Sequence, residues 1–234
     1  MDALLEFARG PLFRFSLAIM LLGLARVVLL DLSAAYMAYR RAGDKSIPWN
    51  WVIRRTLMWF FPVNRIFASR PVYSLFSIIF HVGLLLVPIF LYAHVELWRG
   101  AIGFGWWTLP KAVADWLTLA AIVFGLLLLI LRISSRASRF LSRKQDFLWP
   151  LILLVPFVTG YICANAGVGP AGYRFGMLLH ILSAEAIFIL LPFTKIAHCV
   201  LMPLSQLISA LAWKFPAETD DDVCTTLNKK GAPV

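Results

Sequence analysis

Four histidines are the side chains whose type and placement could do chemistry in this chain. All four sit in apolar stretches, His81 and His94 in one and His180 and His198 in another. His180 and His198 are eighteen residues apart. On an ideal helix that is five whole turns, so both imidazoles point the same way, about 27 Å apart. An ionisable group inside a membrane helix is costly and marks function by default, although a lone one more often serves a neighbour's hydrogen bond. Two pairs on two helices, one near each membrane face, suit the axial imidazoles of two stacked bis-histidine haems.

The second pair is less regular. His81 and His94 are thirteen residues apart, which leaves them about 140° apart around an ideal helix. Pro88 lies between them, and a proline can kink or unwind a helix and shift that phase. The alternative is that one of the two, His94 before His81, is no ligand.

The elements that would position these groups follow from composition. The chain has 234 residues, 61% of them hydrophobic and only 15% charged, with a mean hydropathy of +0.80. That is a membrane protein, not a soluble domain. Apolar runs long enough to cross about 30 Å of hydrocarbon predict five helices over roughly 12–39, 72–97, 112–131, 147–164 and 173–204. The expected fold is therefore an all-α, five-helix transmembrane bundle over residues 1–213, followed by a polar tail over 214–234. The first span ends in Tyr-Arg-Arg without a small-residue cleavage site, so it is expected to stay in the mature chain. Three cysteines, Cys163, Cys199 and Cys224, form no CxxC or CxxCH pattern. Iron–sulfur clusters and covalent haem are thereby absent from the chain's own inventory.

Charge sets the expected topology. A net charge of +10 could suggest nucleic acid, but on a multi-pass chain it reads as orientation, and no nucleic-acid partner is expected. Connectors 40–70 and 132–145 hold twelve lysines and arginines, against three in 98–111 and 165–174. The positive-inside rule then places the N-terminus outside and the C-terminus in the cytoplasm. Helices two and five run antiparallel, which pairs His81 with His198 toward the cytoplasm and His94 with His180 toward the exterior. Trp51 to Phe61, with Arg54 and Arg55, reads as an interfacial helix. Arg26 lies inside the first span and must face either Asp31 or a buried anion such as a haem propionate. Glu185 is mid-span, where a carboxyl is neutralised or paired. One hydrogen bond to another helix is its expected role, and a proton path is the other reading.

Phe80-His81-Val82-Gly83 in helix two and Leu190 to His198, LLPFTKIAH, in helix five resemble the dihaem cytochrome b (gamma) subunit of respiratory nitrate reductases. Its superfamily includes subunits of heterodisulfide-reductase-like and sulfite-reduction-associated complexes. The resemblance covers most of residues 12–204. It implies two b haems and electron transfer between membrane quinol or quinone, menaquinone or ubiquinone, and an iron–sulfur partner subunit of a larger respiratory complex in a prokaryotic cytoplasmic (inner) membrane. Carried over by position, His81 and His198 hold the inner haem and His94 and His180 the outer one. The family binds quinol beside the outer haem, where Glu96, Arg99, Lys111 and Asp115 cluster; each could equally be a solvated flanking charge. Arg54, Arg55, Arg132 and Lys195 are candidates for propionates, with Lys195 one turn before His198. Catalytic and iron–sulfur subunits are expected on the basic cytoplasmic face.

Two rivals remain. One is a non-redox transporter or channel with intramembrane histidines as proton sites; the other is an anchor with a single haem. The topology is checked with fusions: alkaline phosphatase joined after Gly105 is expected to be active, and joined to the C-terminus inactive.

Overall fold

The structure, a computed structural model, describes residues 1–60, 70–212 and 215–229. Phe61 of the expected interfacial helix, the rest of that connector to residue 69 and the last five residues lie outside the described residues. All the described regular structure is helical. Among the described residues five helices are long and apolar enough to cross a membrane: Asp2–Arg41, Pro71–Phe90, Lys111–Ser134, Lys144–Asn165 and Pro170–Phe193. This is the pattern of a multi-pass membrane protein. In hydrocarbon every backbone polar group must find its partner within the chain, which a helix achieves by itself.

The first helix begins earlier than its hydropathy suggested. α1 (Asp2–Phe7) continues through a π-helical turn (Ala8–Leu12) into α2 (Phe13–Arg41). Pro11 sits inside that turn, where the wider ladder takes up a residue that cannot donate a hydrogen bond. α3 (Trp49–Phe60) follows. α4 (Pro71–Phe90) starts on proline, the residue whose missing N–H costs least at a first helical position. α5 is Tyr92–Ile102 and closes on Gly103 at φ 87°, the left-handed conformation that glycine adopts without strain. α6 (Lys111–Ser134), α7 (Arg136–Leu141), α8 (Lys144–Asn165) and α9 (Pro170–Leu190) complete the hydrophobic series. α10 (His198–Ala212) and α11 (Thr219–Thr226) end the chain.

Two helices expected to be continuous are broken. The second stops at Phe90, and Leu91 is extended at ψ 133° before α5 begins. Pro88, three residues upstream, has already removed one ladder bond. The carbonyls at this break are taken by the following loop. Trp106 Nε1–H donates to Ile89 O at 2.9 Å, and Leu109 N–H to Phe90 O at 2.8 Å. The fifth stops at Leu190 and passes through two 3₁₀ turns, Leu191–Phe193 and Lys195–Ala197, before α10. Pro192 explains the stop, because its ring disfavours helix in the residue before it and it lacks an N–H.

The chain divides into two compact units. In the first, residues 1–19 and 63–190, α4 packs on α6, α6 on α8 and α8 on α9. The short connections make these neighbours in sequence order. Small residues set the closest approaches. A Cβ on Gly83 would lie 2.5 Å from Leu117 O and 2.9 Å from Ala121 Cβ, and one on Gly125 would lie 3.0 Å from the Phe80 ring. Val87, Ala121 and Phe157 form the core there.

In the second unit, residues 20–62 and 191–234, α10 packs on α3. Val52 of α3 is 2% exposed. Ala42 and Pro216 form an isolated bridge, and Gly43 N–H donates to Phe215 O at 3.1 Å. On α3, Arg55 lies over the Trp51 ring at 4.8 Å, and Trp49, Trp51, Ile53, Leu57 and Met58 are exposed. That is the composition of a helix lying in the membrane–water interface.

The tightness at Gly83 is testable. Gly83→Ala forces the α4–α6 contact apart and is expected to destabilise the detergent-solubilised protein by about 1–3 kcal/mol. Gly100→Ala, in open space, leaves thermal unfolding within about 0.5 kcal/mol of the parent.

Candidate functional site: four anchored histidines

The break at Leu91 decides where His94 goes. The phase of about 140° expected for an unbroken helix no longer applies, and in the first unit the structure brings His94 of α5 beside His180 of α9. Their ring centroids are 6.0 Å apart and the planes differ by 8°. His94 Nδ1–H donates to Val87 O at 3.3 Å, which crosses the break. His180 Nδ1–H donates to Pro156 O on α8 at 2.7 Å. A carbonyl only accepts, so each bond puts the proton on Nδ1 and leaves the lone pair on Nε2.

His81 and His198 are held in the same way. His81 Nδ1–H donates to Ser77 O, one turn back on α4, at 2.7 Å, with Ser77 Oγ at 3.4 Å. The Phe80 ring meets it edge-on at 5.3 Å. His198 opens α10 after the 3₁₀ turns, and its Nδ1–H donates to Lys195 O at 2.7 Å. His81 belongs to the first unit and His198 to the second. Because α9 and α10 are separate helices, the eighteen-residue spacing does not fix the direction of His198 relative to His180. That expectation is corrected by the break at Pro192.

Nδ1 anchoring to a backbone carbonyl is how metal-binding histidines are oriented and their tautomer fixed. A centroid separation of 6.0 Å between near-parallel planes is that of a stacked ring pair, and both rings keep Nε2 free of these carbonyl bonds. Among the described residues no three His, Cys, Asp or Glu side chains converge on a metal site. Two imidazoles with Nδ1 committed to carbonyls are the donor set that a haem, which brings its remaining ligands itself, would need.

Glycine makes room for the pair. A Cβ on Gly160 would lie 2.8 Å from His180 Cε1 and 2.9 Å from its Nδ1. Gly160 was not anticipated, although a glycine one turn after a proline in an apolar helix is the signal of a close approach.

The other candidates divide into local groups. Glu96 and Arg99 pair with each other at 2.5 Å. Lys111 Nζ reaches Asp115 Oδ2 and Asn165 Oδ1, both at 2.6 Å, and Asn165 Nδ2–H donates to Asp115 Oδ1 at 3.2 Å. These contacts tie the start of α6 to the end of α8, and they bring in Asn165, which the sequence did not mark. Arg132 reaches Ser142 Oγ at 3.2 Å and Tyr73 Oη at 3.4 Å. In the second unit Arg54 and Arg55 lie exposed on α3, and Lys195 is exposed in the 3₁₀ turn. There Lys195 orients His198 through its backbone carbonyl. Arg26 is exposed on α2 and makes no ion pair with Asp31 among the described residues. Glu185 is 3% exposed, and neither of its carboxyl oxygens has a hydrogen-bond partner; the buried Thr194 hydroxyl also has none. The expected hydrogen bond from Glu185 to another helix is thus not made among the described residues.

The coupling of Gly160 to His180 can be measured without any cofactor. Gly160→Ala is expected to cost about 1–3 kcal/mol of stability. In the His180→Ala background the same change should cost at least 0.5 kcal/mol less, by a double-mutant cycle of thermal unfolding.

No family model matches the chain, and no solved structure matches it. A protein of Nitratidesulfovibrio vulgaris (strain Hildenborough), whose name specifies no activity, is 32% identical over 206 residues, covering 86% of this chain and 89% of the relative. At that identity and coverage, the chain belongs to the same family as this Nitratidesulfovibrio vulgaris protein.

Proposed function

We propose that the chain is a dihaem cytochrome b, the membrane-anchoring subunit of a respiratory oxidoreductase that moves electrons between membrane quinol or quinone and an iron–sulfur partner. The observation that carries this reading is the His94–His180 pair, two parallel imidazoles 6.0 Å apart, each with Nδ1–H committed to a carbonyl. His81 of the first unit and His198 of the second are each anchored in the same way, and it is the resemblance alone that would assign them to a second haem. The resemblance of Phe80-His81-Val82-Gly83 and Leu190 to His198 to nitrate reductase gamma subunits supports the assignment.

Bound between such pairs, haem supplies a reversible one-electron change at iron. The chain's own residues do the rest. The carbonyls of Val87, Pro156, Ser77 and Lys195 hold the rings in orientation and make Nε2 the basic nitrogen. Phe80, Val87 and Phe157, buried in the first unit, exclude water. Arg26, Arg54, Arg55 and Lys195 supply positive charge for propionates. At the outer end, Glu96 with Arg99 and Asp115 with Lys111 and Asn165 are hydrogen-bonding and proton-accepting groups for a quinol headgroup. In this reading the protein spans a prokaryotic inner membrane, N-terminus outside, with its iron–sulfur and catalytic partners on the cytoplasmic face.

The test is a dithionite-reduced minus oxidised absorption spectrum of purified protein with haem counted per chain. Two b haems are expected, with about one lost in His94→Ala or in His180→Ala. One haem in the parent would establish the single-haem anchor, and none in folded protein would overturn the proposal.

A further inference from the structure

Glu185 is the one buried carboxyl among the described residues of the spans, and nothing in the reading above uses it. It is 3% exposed, and both oxygens lack a hydrogen-bond partner. Other buried oxygens in these helices are satisfied locally. Ser16 Oγ donates to Phe13 O at 2.9 Å and Thr118 Oγ to Ala114 O at 2.7 Å. A carboxyl is different, because its charge has to be neutralised. A carboxylate taken out of water without a cation costs several kcal/mol, which an added proton removes.

No cation answers it among the described residues. The elements packed on α9 include α8, α1 and the π turn, the start of α2 through Phe13 on Phe188, and α5 through His94 on His180. Their ionisable groups in the first unit are Lys144, Asp146, Tyr161 and Cys163 on α8, Asp2, Glu6, Arg9 and Arg14 at the N-terminus, and Tyr92, His94, Glu96 and Arg99 on α5. On α9 itself, Arg174 is engaged with Asp2 at 3.0 Å. Asp146 caps the start of α8 through the Arg143 N–H at 2.8 Å. None of these groups forms a hydrogen bond or ion pair with Glu185. On the same helix the Glu185 Cα stands five residues from that of His180, about 7.5 Å along the axis and about 140° around it, a separation over which two charges still interact in a low-dielectric interior.

We propose that Glu185 is a charge-compensating proton site for electron transfer at the His94–His180 centre. The proposal rests on the haem reading above. An electron, delivered by quinol or by the iron–sulfur partner, lowers the charge of that centre by one. At the same time a proton from water forms an O–H bond at the Glu185 carboxylate. When the electron leaves, that O–H bond breaks and the proton returns to water. The sum of the two charges is the same in both states, so electron transfer does not leave an isolated charge in a low-dielectric interior. Without an oxidised centre nearby, the carboxyl keeps its proton, in keeping with its lack of any partner.

The experiment is reduced-minus-oxidised infrared difference spectroscopy on the full-length, haem-containing protein. A carbonyl stretch of a protonated carboxyl is expected to appear on reduction, shift down in D₂O and vanish in Glu185→Gln with haem content unchanged. Glu185→Asp should retain a band at a shifted position, which guards against a folding defect in the Gln variant. A band that survives Glu185→Gln, or no carboxyl band in protein carrying its haems, would overturn the proposal while leaving the cytochrome reading intact. Protein that binds no haem would overturn both. In haem-free protein, dicyclohexylcarbodiimide, which adds to protonated carboxyls in apolar surroundings, should modify Glu185 as read by peptide mass. Failure to modify it there would refute the protonated resting state.

Discussion

In hydrocarbon a backbone N–H or C=O cannot turn to water, so every interruption of a helix has to be answered by another group of the protein. The break at Leu91 shows how far this reaches. Pro88 weakens the end of α4, and the carbonyls of Ile89 and Phe90 are taken up by the Trp106 indole and the Leu109 amide. The loop between α5 and α6 is thereby pinned to the end of α4. The Val87 carbonyl, near the same end, receives both the Leu91 amide and the His94 ring. The repair of one broken helix is therefore what orients the imidazole.

The same need is met with side chains. All four histidines use Nδ1 to bond a backbone carbonyl. In three of them the carbonyl lies on the same or the adjoining segment. For His180 it comes from Pro156 on α8, so the ring bridges two helices. Gly160 on that helix leaves the space the ring fills. The packing of small residues against rings and carbonyls at Gly83, Gly125 and Gly160 lets helices approach closely where lipid provides no hydrophobic drive to hold them together. Much of the remaining surface is apolar and exposed, with Leu22 at 72% and Trp116 at 73%, as expected of faces that meet lipid.

Polar groups in the spans fall into two kinds. Hydroxyls such as those of Ser16 and Thr118 bond the preceding turn and need nothing else. Glu185 cannot do this and is left without a partner, which is why it bears a functional reading where a serine or threonine would not. The pairs at the ends of the spans, Glu96 with Arg99 and Lys111 with Asp115, sit where water screens them and contribute little to stability.

Composition and hydropathy alone determined that the chain is helical and crosses a membrane several times, because about twenty apolar residues in a row have few other ways to satisfy their backbone. The same reading singled out the four histidines, since an imidazole in an apolar run stands out against its neighbours. What it could not determine was direction. Helical arithmetic placed His81 and His94 out of phase and His180 and His198 in phase. Both results assumed unbroken helices, which Pro88 and Pro192, visible in the sequence, interrupt. Where a broken helix resumes depends on which distant groups cap its free carbonyls, here Trp106 and Leu109, and these, like the Pro156 carbonyl that holds His180, lie too far along the chain for local periodicity to foresee. The meeting of His94 with His180, the space left by Gly160 and the unpartnered carboxyl of Glu185 were decided only when α4, α6, α8 and α9 packed together.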